Sequence, residues 1–449
     1  MTSRYLAAKL AVGFLAFGLG EIAHASAPWT GNIPNDAKDS KVWSALTERL
    51  VKDGKYYGAL AASARLLVFF TDLPTKELAY KTIISLVDQG YSFPVQPYFV
   101  PGDIEPQGSE YDFINSYYLY KSVLSKEKHL DKWASQYFSL VDQENFPKYL
   151  FYQALQAYSK NDLPQAEALL KKILAKDLPD DRKPFVKKVA RTLARVYFDQ
   201  EEYAKSLDIY NSFLLKLNPV SPSDWLETAW NYYHLKKYPQ AVGMLYNLES
   251  HSAKNELYLE KYIIRALSYR ANCDLPNAET LIQSFERDFS EVITGIKKGE
   301  ALAKYPVLGT LDLPETQIFR QISTSLQELR REATLLKGLP ADQLKIANYL
   351  YNTEIYMLNQ KRRDSVDRAQ DEAASQLITL SERLRFLRFD IAREKFNPDS
   401  VFKVAPPAER KFSSNAETRR YTLRWQQFGD FWRDERAKYQ GALINRCKE

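Results

Sequence analysis

The chain has 449 residues, 45% hydrophobic and 26% charged, with 16 Gly, 21 Pro, 4 His and 2 Cys. That hydrophobic share belongs to a folded protein, the glycine content falls well below the ~7% average and argues against phosphate-cradling loops, and two cysteines cannot build a disulfide framework or a four-thiolate zinc site. The net charge of +6, from 62 basic and 56 acidic residues, is mild for this length and carries no nucleic-acid footprint.

Residues 1–25 read as a secretory signal. Arg4 and Lys9 supply a positive start, Leu10 to Leu19 is an apolar run, and Ala23-His24-Ala25 offers small residues for cleavage near Ala25. The run is short for a membrane span of ~20 residues. The expectation is an exported chain, periplasmic if the source is a bacterium, in an oxidising compartment. Cys273 and Cys447 can then form one bond; the other reading is a buried cysteine and a free one.

From residue 26 on, apolar residues recur at spacings of three and four, with Pro between the segments and not inside them. This predicts an all-α protein. Residues 26–145 form a helical region. Tyr57 to Phe70 and Ala79 to Val87 flank Asp72-Leu73-Pro74, and Tyr111 to Leu124 pairs with Asp131 to Leu140. Between these pairs, Tyr91 to Gln107 carries Pro94, Pro97, Pro101 and Pro106 and reads as an ordered loop or cap.

Residues 146–290 show internal similarity. Leu163-Pro164-Gln165-Ala166, Tyr238-Pro239-Gln240-Ala241 and Leu275-Pro276-Asn277-Ala278 each follow an aromatic helix and a short polar turn. Pro suits the first turn of a helix, where its missing N–H costs nothing. Small residues recur in phase at Ala154 and Ala166, Ala194 and Ser206, Ala229 and Ala241, and Ala266 and Ala278, with bulky residues at Leu150, Leu163, Tyr197, Tyr203, Tyr210, Trp225, Tyr232, Tyr238, Tyr262, Tyr269 and Leu275. On these residues the chain resembles the tetratricopeptide repeat family, in which helix-turn-helix units of ~34 residues stack into a solenoid, here of the exported bacterial envelope type. Residues 26–145 then look like degenerate copies.

Residues 291–396 predict long helices. Glu315 to Lys337 is one, Gly338-Leu339-Pro340 breaks it, and Ala341 to Phe396 runs without Gly or Pro. Leu377, Leu380, Leu384, Leu387 and Ile391 make a heptad seam. Charged Lys361 to Asp371 is the expected place for a bend or exposed crossing. The block is a helical hairpin or bundle packed on the array, or a coiled coil joining a second chain through 341–396. Residues 397–449 form a tail with an aromatic amphipathic helix from Tyr421 to Tyr439.

No metalloprotease, phosphate-loop or serine-nucleophile motif is present. His129, His234 and His251 are far apart in sequence and read as surface or packing residues. We therefore expect no enzyme, no cofactor and no metal. The resemblance implies a groove on the first helix of each unit. Carried over residue by residue, it holds Lys188, Arg191 and Arg195 as a basic stripe beside Phe198, Trp230 and Tyr233. A peptide of acidic character is the expected ligand, since Arg binds carboxylates bidentately and aromatics anchor apolar side chains. The function so implied is a non-catalytic scaffold or adaptor in a cell-envelope complex serving assembly, cell-wall coordination or motility. The alternative is a peptidoglycan-binding or cell-wall-processing factor.

Overall fold

The computed structural model describes residues 39–91, 110–127, 129–179, 182–216, 220–249, 257–396, 440, 441, 443 and 445–447. The expected signal, most of the proline-rich loop and the aromatic tail helix lie outside these residues. The described chain is all-α. Its only strand-like feature is an isolated bridge between Leu257 and Leu311. Among the described residues no helix is long and apolar enough to cross a membrane.

Among the described residues fifteen α-helices follow in order: α1 Ser40–Lys52, α2 Tyr56–Phe69, α3 Leu73–Asp88, α4 Tyr111–Glu127, α5 Asp131–Ser139, α6 Pro147–Ser159, α7 Leu163–Leu174, α8 Lys183–Asp199, α9 Tyr203–Ser212, α10 Pro222–His234, α11 Tyr238–Tyr246, α12 Glu260–Ala271, α13 Leu275–Lys297, α14 Pro314–Ala333 and α15 Ala341–Phe396. The chain divides into two compact units, residues 1–189 with 317–368 and residues 190–316 with 369–449. The divisions fall inside α8, α14 and α15. They cut across the segments drawn from the sequence, because the late helices return to pack on earlier ones.

One turn recurs in both units. In six places a residue with positive φ sits two positions before the next helix: Gly54 (71°), His129 (58°), Asn161 (63°), Glu201 (64°), Lys236 (59°) and Cys273 (53°). The following N–H reaches back to the last turn of the preceding helix at 2.8–2.9 Å, as in Lys55 to the Leu50 carbonyl, Asp162 to Ala157, Lys237 to Tyr232 and Asp274 to Tyr269. This left-handed stop satisfies orphan carbonyls at a helix end. The next helix starts at once, with Pro in the first turn of α7, α11 and α13. Asp72 and Asp162 cap their helices by accepting from Thr75 N and Gln165 N. Where the paired helices cross, Ala154, Ala166, Ala194, Ser206, Ala229, Ala241, Ala266 and Ala278 are all 0% exposed. A larger side chain would force the helices apart.

In the first unit, α14 and the first half of α15 lie on α1–α4. Leu326, Leu329, Leu350, Tyr351 and Leu358 share a core with Trp43, Leu46, Leu60, Tyr80 and Tyr117. Arg65 and Glu354 form an ion pair inside it, 2% and 3% exposed. In the second unit the heptad seam is buried in its own chain. Leu377, Leu380, Leu384, Leu387 and Ile391 pack with Ala278, Ile282, Phe285 and Phe289 of α13 and with Tyr305, Leu308 and Leu311. α15 runs unbroken through 361–371, and the division between units falls within that segment.

Candidate functional site

The groove residues expected on α8 and α10 come together in the second unit, with Lys188 as the exception. Lys188 is exposed on the same helix but falls in the first unit. The other two cations are already matched. Arg191 donates from Nε to Asp224 Oδ1 at 2.6 Å and from Nη2 to Oδ2 at 2.9 Å. One turn on, Arg195 donates from Nε to Glu227 Oε2 at 3.0 Å and from Nη2 to Oε1 at 2.6 Å. Both are fork-to-fork pairs, the strong geometry for these groups. Tyr210 OH also donates to Glu227.

The titration shifts follow from this packing. Burial opposes the charge on Arg191, yet the Asp224 carboxylate overcomes it and holds the guanidinium above its ordinary value. Burial opposes the Glu227 charge as well, and Arg195 outweighs it, so that carboxyl is pulled down. Arg191 and Arg195 are therefore charge-compensated, because the acidic residues facing them come from α10, 33 and 32 positions away. An acidic ligand would have to displace Asp224 and Glu227.

Beyond the ion pairs lies an aromatic cluster. Phe198 meets His234 at 5.3 Å and Tyr203 at 5.2 Å between centroids. Tyr203 stacks on His234 at 4.4 Å, with planes 11° apart. Trp230 meets Tyr233 at 5.8 Å, and Tyr233 meets Tyr238 at 5.7 Å. All six rings are half-buried. Trp230 Nε1 donates to Glu260 Oε2 at 2.8 Å. Burial pushes the Glu260 carboxyl up, against the pull of that bond. Burial also pushes the His234 imidazole down, against the nearby Glu201 charge.

Phe198, Trp230 and Tyr233 were carried over as groove residues. Tyr203, Tyr238 and His234 were not. The two tyrosines occupy bulky repeat positions, and the histidine stood alone in the sequence. The alternation of aromatics at the end of one helix with aromatics at the start of the next was the signal for them.

At α12 the same face is covered by the chain itself. Arg270 donates to Glu394 of α15 at 3.1 Å from Nε and lies 3.7 Å from Asp390. Ile263 and Leu267 pack against the core that holds the α15 leucines.

Cys273 and Cys447 are joined by a disulfide. Cys273 occupies the left-handed position of the α12–α13 turn and is 0% exposed. Beside it, Arg446 N donates to the Asn272 carbonyl at 2.9 Å, and Gly441 N donates to the Pro239 carbonyl at 2.7 Å. The end of the chain is fastened along the turns of two successive hairpins. Among the described residues no three His, Cys, Asp or Glu side chains gather as a metal site.

Comparison with protein-family models, with curated proteins and with solved structures gives no match.

Proposed function

We propose that this chain is a helical-repeat scaffold of tetratricopeptide type, working in an oxidising, periplasmic compartment and holding protein partners on the α8–α10 face without catalysis. The observation that carries the reading is the half-buried aromatic cluster set on a run of hairpins that share one turn and, on α6 to α13, fully buried small residues in phase. Repeats of this kind leave the first helix of each hairpin facing a common surface, and extended surfaces of that sort bind other chains. Aromatic side chains are the residues that anchor such interfaces. The Cys273–Cys447 bond supports the compartment.

Crosslinking in intact cells, followed by mass spectrometry, tests the proposal. Proteins crosslinked through α8 and α10 support it. Crosslinks confined to this chain, together with retention of the purified protein on cell-wall sacculi, would favour the cell-wall reading instead.

A further inference from the structure

The three most exposed large apolar side chains among the described residues lie on one helix. Phe386, Phe389 and Phe396 of α15 are 74%, 66% and 84% exposed. With Arg393 between the last two, they follow one another at helical spacing and share one stripe. That stripe lies opposite the leucine seam, which is buried against α13. Grouped apolar rings in water mark a surface that another element covers.

The path of the chain says which element. α15 ends at Phe396, and the described chain resumes at Gln440. Glu394 accepts from Arg270 in the last turn of α12, and Cys273, in the turn that follows, is bonded to Cys447. Gly441 N donates to the Pro239 carbonyl at 2.7 Å, and a Cβ on Gly441 would lie 2.7 Å from Val242 Cγ1, so the chain is held closely there. Residues 397–439 therefore leave and rejoin the second unit at the end where these hairpin turns lie.

The residues in between supply a matching face. Tyr421, Trp425, Phe428, Trp432, Glu435 and Tyr439 alternate spacings of four and three, a heptad seam. A helix of that length, about 28 Å, is marginal in water unless its apolar face is packed. Residues 397–420 reach about 80 Å when extended. That is enough to run back along α15 and let a helix over 421–439 return beside it to Gly441. The two helices are then parallel, and Arg393 and Glu435, the charge near the end of each stripe, come to the same end. A second copy of the chain gains less. Three phenyl rings offer about 600 Å², short of the roughly 800 Å² per partner in a stable interface, whereas a tethered segment acts at about millimolar effective concentration.

We infer that residues 421–439 form a helix that packs parallel to α15 in the same chain and covers Phe386, Phe389 and Phe396, with Glu435 beside Arg393. The inference is independent of the partner face on α8 and α10.

The test uses the full oxidised protein with p-benzoylphenylalanine at position 389, irradiated and mapped by mass spectrometry. Crosslinks to residues 421–439 of the same chain are expected. Crosslinks between chains, crosslinks only to other segments, or none at all overturn the inference. Hydrogen exchange reads the same contact without a probe. Phe386→Asp with Phe389→Asp should speed exchange of residues 421–439 at least tenfold and leave α12 and α13 protected. Trp425→Ser with Trp432→Ser approaches from the other side and should lower the crosslink yield from position 389 several-fold, which keeps the test decisive if the first variant does not fold. Unchanged exchange or unchanged yield overturns the inference, as does binding of the wild-type protein to anionic phospholipid vesicles that is lost with Phe386 and Phe389.

Discussion

Glu332 caps a helix to which it does not belong: its carboxylate accepts the backbone N–H of Gly58 at 2.8 Å. It also accepts from Tyr57 N at 3.2 Å and from Tyr351 OH at 2.8 Å. The helix so capped, α2, begins after Lys55, which offers no side-chain cap. A carboxylate from α14 stands at the positive end of the α2 dipole and satisfies two of its orphan donors.

Glu332→Ala should therefore cost about 2 kcal/mol, the scale of losing charged hydrogen bonds and stranding buried donors. Burial raises the Glu332 carboxyl above its ordinary 4.5, against the pull of Gly58, Tyr351 and Tyr57. A raised folded value means that the proton binds the folded state more tightly. This contribution is complete below the unfolded value and is lost as pH rises through the folded one. Relative to Glu332→Gln, the wild-type chain should have its larger advantage near pH 4 and lose ground toward about pH 7. Urea midpoints of both proteins across that range check the sign.

Gly58 permits this arrangement. A Cβ there would lie 1.9 Å from Tyr351 Oη and 2.5 Å from its Cζ. In an exposed helix Gly→Ala gains about 1 kcal/mol. Here Gly58→Ala should destabilise by about 1–3 kcal/mol, the cost of overpacking. A raised thermal midpoint would contradict the close approach.

The left-handed turns make a prediction of opposite sign. Lys236 holds φ 59° without the freedom of glycine and is exposed. Lys236→Gly should stabilise by about 0.5–1 kcal/mol. Asn161→Gly, at φ 63°, should gain less, because Asn tolerates this region. Paired melting curves of the two variants decide it.

Asp224 is 2% exposed and faces Arg191. Arg191→Met should cost about 3 kcal/mol, since it leaves a buried carboxylate unpaired. Adding Asp224→Leu should recover most of that loss. A double-mutant cycle by urea denaturation measures the coupling, and additive losses would show that the pair is not interdependent.

The disulfide spans 174 residues of sequence. Closing so long a loop removes at most about 5 kcal/mol of unfolded-state entropy on the chain-entropy account. Cys447→Ser should lower the stability of the second unit by a few kcal/mol and leave that of the first unchanged. Thiol titration of the denatured, unreduced protein should find no free thiol.

Much of the fold was legible in the residues, and the reasons differ by element. Ala341 to Phe396 showed itself as a single helix because nothing in it breaks one, and the observed α15 has those bounds. The hairpin crossings showed themselves because only small residues fit there. α1 passed unread, its Trp43, Leu46 and Leu50 stripe being short. The turns were recognised by the Pro that follows them, while their left-handed residues were hidden, since His129, Glu201, Lys236 and Cys273 are not glycines. At the site, the aromatics were visible from repeat phase. The charge state was not, because phase tells which residues share a helix face and not which carboxylate of the next helix lies opposite each arginine.

The core of the first unit joins Trp43 to Leu124 with Leu326 to Leu358. Of the chain between them, residues 190–316 belong to the second unit. A ribosome makes about 5–20 residues per second, so the early helices wait some tens of seconds, roughly, for the segments that cover their apolar faces. During that interval Leu46, Leu60 and Tyr80 have no native lid. The two halves of the first unit's core are thus made far apart in time, and that core cannot close until the last long helices are present.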